Sequence, residues 1–229
     1  MVLIALAGAG CLAAAVVVGG MARAAQTRPP TRAERAAAAT AAVAGRWRTW
    51  RAGRIFPASL GYLSDLMTRE RAQRVAISRS DTCAAALDGA LARVAERDGC
   101  RAALRATYLD QLQGVVYTTG VLAFGTPARA AAFSRAAATD PLPAGLRAFA
   151  LAGTASARFD DQARQAAVAV QRGPYVLLTV AGYADGRPAA ATGEHRPSVF
   201  GPARQVAQEI LVPLAAPVTV NCASPEWAC

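Results

Sequence analysis

The sequence predicts an α+β fold: an N-terminal transmembrane helix plus a two-layer antiparallel-sheet/helix sandwich. Three observations carry this. Residues 1–22, MVLIALAGAGCLAAAVVVGGMA, hold no charge. As a helix rising 1.5 Å per residue they would reach about 33 Å, enough for a hydrocarbon core of about 30 Å. Two hairpin patterns, 102–124 and 165–184, each join apolar, β-branched or aromatic runs across a short turn. Helical stretches fall between pairs of strands, giving the order β-β-α-β-β-α-β-β-α, and hairpins with helices on one face make two layers.

The anchor comes first. No Arg or Lys precedes the apolar run, so an uncleaved span fits better than a cleavable signal, although Ala22-Arg23-Ala24 offers a small-x-small site. Cys11 has Gly8 three positions before it, which is poor for lipidation. Residues 23–53 form a linker and helical stalk. Pro29-Pro30 end the first helix, Ala-rich 33–44 is a strong helix former, and RWRTWRAGR at 46–54 alternates Arg with Trp47 and Trp50.

The α+β domain is expected over 54–229. Residues 55–63, with Pro57, suit an edge strand or an extended segment. Residues 64–73 form a polar connection and 74–78 a short strand. A helix from Asp81 or Thr82 carries Leu87, Leu91 and Val94 on one stripe and stops at Gly99. The hairpin 102–109/115–124 and a helix opened by Pro127 follow. Residues 144–154 form a short helix or an irregular segment. The hairpin 165–171/175–184 comes next, then a loop with the sole histidine, then an amphipathic helix over 200–211 and a Pro-rich tail. Gly120 and Gly182, inside strands, mark bulges or close packing contacts.

Every one of the 25 basic residues is Arg, and net charge is +10. The Arg and Ala excess reads first as a high-GC coding bias, and then as a surface that favours anionic partners. Four cysteines lie outside the span: Cys83, Cys100, Cys222 and Cys229. An even number suits an oxidising compartment, whereas Arg23, Arg28, Arg32 and Arg35 after the span argue for a cytoplasmic domain. The even cysteine count favours an exported domain. A regular helix would hold Cys83 and Cys100 about 25 Å apart, too far for a disulfide. Each is then expected to pair with Cys222 or Cys229. The rival pairing, 83–100 with 222–229, needs the helix to break, for instance at Gly89.

No catalytic constellation stands out. His195 is the lone histidine, and Asp160, Asp161 and Asp185 are its candidate acid partners. No Cys-x-x-Cys, P-loop or Gly-x-Gly-x-x-Gly is present, so no metal or nucleotide cofactor is expected. A ligand face, if the sheet offers one, would use Tyr108, Tyr117, Tyr175 and Tyr183. Arg46, Trp47, Arg48, Trp50 and Arg51 form a candidate interface for a membrane surface or anionic polymer.

The Cys-headed helix closing on Gly99-Cys100, followed by Ala106-Thr107-Tyr108 and Gly173-Pro174-Tyr175, resembles the extracytoplasmic domains of actinobacterial membrane proteins and lipoproteins. Among these is the sensor domain of some mycobacterial serine/threonine kinases. The resemblance covers residues 73–229; the sequence departs from the kinases in being nearly all ectodomain. It implies a disulfide-bearing α+β domain outside the cell and brings no catalytic residues with it. The expected function is a single-pass cell-membrane protein, with its domain extracytoplasmic, acting as a non-enzymatic binding, sensing or scaffold module. Its partners would be the bilayer through 1–22 and another envelope protein or an anionic cell-wall polymer, with nucleic acid disfavoured. The alternatives are an envelope hydrolase using His195 with a nearby acid, and a cytoplasmic-facing basic domain on anionic lipid or nucleic acid.

Overall fold

The computed structural model describes residues 28–138, 145–188, 197–224 and 227. The expected anchor, 1–22, lies outside the described residues, as do Cys11, Cys229 and His195. Among the described residues no helix is long and apolar enough to cross a membrane. The chain divides into two compact units, one spanning Thr40–Val218 and the other taking in the segments before and after it.

In the smaller unit, Thr31 and Glu34 form a capping box at the start of helix α1 (Arg32–Thr49). The Glu34 amide donates to Thr31 Oγ1 at 3.2 Å, and the Thr31 amide donates to Glu34 Oε2 at 2.7 Å. Arg28 Nη2 sits 2.5 Å from Glu34 Oε1. This guanidinium, with the Thr31 donors, holds the Glu34 carboxyl down to about 2.

The larger unit is built on six antiparallel strands: β1 (Ser59–Leu63), β2 (Arg69–Ile77), β3 (Cys100–Leu109), β4 (Val115–Phe124), β5 (Ala166–Arg172) and β6 (Tyr175–Tyr183). Their order is β1-β2-β3-β4-β6-β5. The predicted order of six strands therefore holds, with two changes of bounds: β1 begins at Ser59 rather than at residue 55, because Ile55 closes a helical turn, and β2 begins earlier than expected. Residues 69–73, expected as connection, belong to β2, where Arg69, Arg71 and Gln73 alternate with Glu70 and Ala72 across the two faces. The sheet is curled. Helix α6 (Ala203–Leu214) packs against both outermost strands, β1 and β5. Tyr62 of β1 also meets Tyr117 of β4 edge to face, with ring centroids 6.2 Å apart, across the two intervening strands.

Helices and loops cover both faces, which corrects the two-layer expectation. On the concave face α6, the second half of α1 and the single turn α2 (Ala52–Ile55) bury Tyr62, Tyr108, Tyr117, Tyr175, Phe56 and Ile210. The stalk helix thus ends inside the domain rather than before it. On the convex face the turn α3 (Cys83–Ala86), α4 (Gly89–Arg97) and α5 (Pro127–Ala138) bury Leu91, Phe124, Phe133 and Leu178. β4 is buried along its whole length and β6 nearly so, because both of their faces are core.

The expected continuous helix after Thr82 is two pieces, and this reverses the disulfide expectation. Thr82 Oγ1 caps the first, accepting from the Ala85 amide at 3.3 Å; Asp88 Oδ1 caps the second, accepting from the Leu91 amide at 3.1 Å. Between them the chain is extended, and Leu87 forms a bridge with Leu146. The Asp88 amide donates to the Gly145 carbonyl at 2.6 Å. The break brings Cys83 to Cys100 at a Cα separation of 6.5 Å, and the two are disulfide-bonded. Cys222 is disulfide-bonded as well.

Gly120 and Gly182 prove to be close-packing positions on the convex face. A Cβ at Gly120 would stand 2.5 Å from Leu146 Cδ1, and one at Gly182 would strike the Ala163 carbonyl oxygen. The segment 145–163, irregular apart from a 3-10 turn at Ala155–Arg158, crosses the sheet at these two gaps. Its Phe149 amide donates to Thr118 Oγ1 at 3.1 Å, and Thr107 Oγ1 donates to the Phe149 carbonyl.

Candidate functional site

β1 is an edge strand, and its free side opens into a groove. Ladder bonds fix which way each residue faces. The Arg74 amide donates to the Ala58 carbonyl at 2.9 Å, and the Ser64 amide to the Thr68 carbonyl at 2.9 Å. On the same two-residue alternation Leu60 and Tyr62 point their backbone groups at β2, and Gly61 and Leu63 point theirs outward. Leu63 is answered from α6: its amide donates to Gln205 Oε1 at 2.8 Å, and Gln205 Nε2 donates to its carbonyl at 3.1 Å. One side-chain amide thereby fills the place a neighbouring strand would take.

Next to this clamp lies a groove of about 430 Å³, lined by Gly61, Tyr62, Leu63, Arg69, Glu70, Arg71, Gln205 and Glu209. Its two sides differ in charge. Arg69 and Arg71 pair with Leu63 and Gly61 and share their face; Glu70 pairs with Tyr62 on the concave face, where Glu209 enters from α6. Tyr62 Oη donates to Glu70 Oε2 at 2.8 Å. Burial, then the bond to Glu70, pushes the Tyr62 hydroxyl well above the usual phenol range. The groove residues escape the sequence reading because 64–73 looks like a polar connection. The signal was the period-two run Arg69-Glu70-Arg71-Ala72-Gln73, which suits an exposed hairpin strand.

The predicted tyrosines do share one sheet face, but α6 covers it. Tyr108, Tyr117 and Tyr175 are buried in the concave core, and Tyr183 is partly buried against Phe200, ring centroids 5.1 Å apart. Tyr108 Oη donates to the Pro57 carbonyl at 2.9 Å. Tyr175 Oη donates to the Val43 carbonyl at 2.6 Å and accepts from the Trp47 amide at 3.3 Å. These two groups of α1 are four residues apart, a donor and acceptor pair of one helical turn.

The Arg–Trp stretch splits in two. Arg46 turns inward, 9 % exposed, and donates to the carbonyls of Pro213, Leu214 and Ala216 at 3.3, 2.9 and 2.7 Å. It caps the C-terminus of α6, where helix geometry leaves the last carbonyls short of donors; of the three, Pro213 also accepts from the Ala216 amide at 3.4 Å. Arg48, Arg51 and Arg54 face solvent. Arg54 lies over the Trp50 ring at 3.7 Å and Arg48 over Trp47 at 5.6 Å.

The candidate acids are each engaged in local structure. Asp160 accepts from the amides of Gln162 and Ala163, and Asp161 accepts from the Ala148 amide at 2.7 Å. Asp185 bonds Arg187 at 2.6 Å, which holds its carboxyl below the usual range. Among the described residues no group of three His, Cys, Asp or Glu side chains is placed to hold a metal ion. No family model, curated protein or solved structure matches the chain.

Proposed function

We propose that the chain is a membrane-anchored, extracytoplasmic, non-enzymatic binding module of a bacterial cell envelope. The observation that carries this reading is the Cys83–Cys100 disulfide, with Cys222 bonded as well. Thiols so bonded suit an oxidising compartment, and the uncharged stretch 1–22 would tether the domain there. The acids that an enzyme reading would recruit are spent on turns and a surface ion pair. Anionic envelope polymer or lipid headgroup is the partner suggested by exposed Arg48, Arg51 and Arg54 beside Trp47 and Trp50.

Thiol labelling tests it. Whole cells treated with a membrane-impermeant maleimide, then analysed by non-reducing mass spectrometry, are expected to show bonded cysteines that label only after reduction. Protease added outside should remove the domain. Free thiols in a cytosolic fraction would end this reading in favour of a cytoplasmic basic domain.

A further inference from the structure

We infer that the open edge of β1 is a strand-docking site for an extended polypeptide segment whose side chains alternate acidic and basic. This rests on the binding-module reading and names the partner's class. The outward N–H and C=O of Gly61 meet no group among the described residues, while the next outward pair, at Leu63, is already held by Gln205 in ladder fashion. The edge is therefore shaped for pairing, and one backbone position of it is left open. A Cβ at Gly61 would meet nothing within 4 Å, so the sheet face above this position, where Arg71 lies opposite, is open to an incoming side chain. β-Augmentation of this kind takes affinity from main-chain bonds and specificity from alternate side chains.

Charge selects the occupant. A strand laid against β1 places every second side chain on the face of Arg69 and Arg71, and the others on the face of Glu70 and Glu209. Carboxylates on the first set and cations on the second complement both. A second copy of this chain fits worse. Pairing β1 with itself would bring Arg69 and Arg71 of two molecules onto one face, between chains that each carry +10.

The test uses the full chain in dodecyl maltoside and a dye-labelled heptapeptide, acetyl-Thr-Glu-Lys-Glu-Lys-Glu-Thr-amide, read by fluorescence anisotropy. The comparison peptide, acetyl-Thr-Glu-Glu-Lys-Lys-Glu-Thr-amide, has the same composition with both signs on each face. The alternating peptide is expected to bind about tenfold tighter. Gly61→Pro deletes the outward donor at a position where an edge strand tolerates proline, and should weaken binding about fivefold. Arg71→Glu, which touches no buried group, should weaken it by a similar factor of about five while leaving the melting temperature unchanged; it decides the matter if the proline variant fails to fold. Equal affinity for the two peptides, or binding untouched by Arg71→Glu, overturns the proposal. So does peptide-independent dimerisation that Arg71→Glu strengthens, which would give the edge to a second copy. None of these results bears on the compartment, which the thiol labelling reads separately.

Discussion

The two faces of the sheet are held by different chemistry. The concave face is joined by polar side chains that reach across the chain: Arg46 to the last carbonyls of α6, and Tyr175 into the ladder of α1. All five tyrosines lie in this core or pack against it. The convex face holds Phe124, Phe133 and Phe159, a disulfide, and an irregular segment seated over two glycines. The concave side depends on tyrosine hydroxyls and on a guanidinium that closes a helix end; the convex side depends on a covalent link, apolar fit and the hydrogen bonds that Thr107, Thr118 and Arg105 make with the crossing segment.

Alkaline pH should separate them most sharply. Burial raises the hydroxyls of Tyr62, Tyr108, Tyr117 and Tyr175 above their ordinary value of 10.0. The chain has no lysine, so few other side chains titrate between about pH 10 and 12. A raised folded value means that this stabilisation is complete below the unfolded value and declines once pH exceeds it. Denaturant midpoints should hold from neutral to about pH 9.5 and fall steeply beyond pH 10. Tyrosinate absorbance and the fluorescence of Trp47 and Trp50 should report it together. Tyrosinate appearing well before the fluorescence change would show that these hydroxyls are not locked in the core.

On the concave side, Arg46→Met should cost about 3 kcal/mol. It takes the side-chain donor from the buried Leu214 carbonyl and from the part-buried carbonyls of Pro213 and Ala216. On the convex side, Cys83→Ser with Cys100→Ser removes a cross-link spanning 17 residues. The expected cost is about 3 kcal/mol, or a drop of roughly 6–12 °C in melting temperature. The double variant should keep the alkaline transition where it was, since no tyrosine lies on that side. A shift in both properties would mean that the two cores do not melt as separable layers.

Much of this division was legible in the sequence, and the failures share a cause. The hairpins, their internal glycines and the four tyrosines on one face follow from period-two patterning, which is local. What covers that face does not: burial by α6 depends on a curl that brings β1 and β5 to the same helix. The broken helix at Leu87–Asp88 was hidden because Asp88 fits the polar side of a continuous helix as well as it fits an N-cap three residues before Leu91. The tertiary bridge of Leu87 to Leu146 decides between them. Arg46 looked like its neighbours Arg48 and Arg51, and only the C-terminus of a helix 167 residues away distinguishes it.

Arg105 gives the smallest expected effect and the finest test of the contrast. Like Arg46 it is buried, 8 % exposed, and burial lowers its pKa. Unlike Arg46 it makes one carbonyl bond, to Arg147 at 3.2 Å, and its Nε has no partner among the described residues. It lies on the convex face, over the Phe149 ring at 5.5 Å. A buried charge so thinly compensated contributes little or costs stability, and an apolar side chain of similar volume replaces it without loss. Arg105→Met is therefore expected to change stability by no more than about 1 kcal/mol, and to raise it if it changes at all. Thermal melts of Arg46→Met and Arg105→Met side by side measure the difference between a buried guanidinium that closes a helix end and one that fills space. A loss at Arg105 as large as that at Arg46 would place on the convex face a polar anchor equal to the one beneath α6.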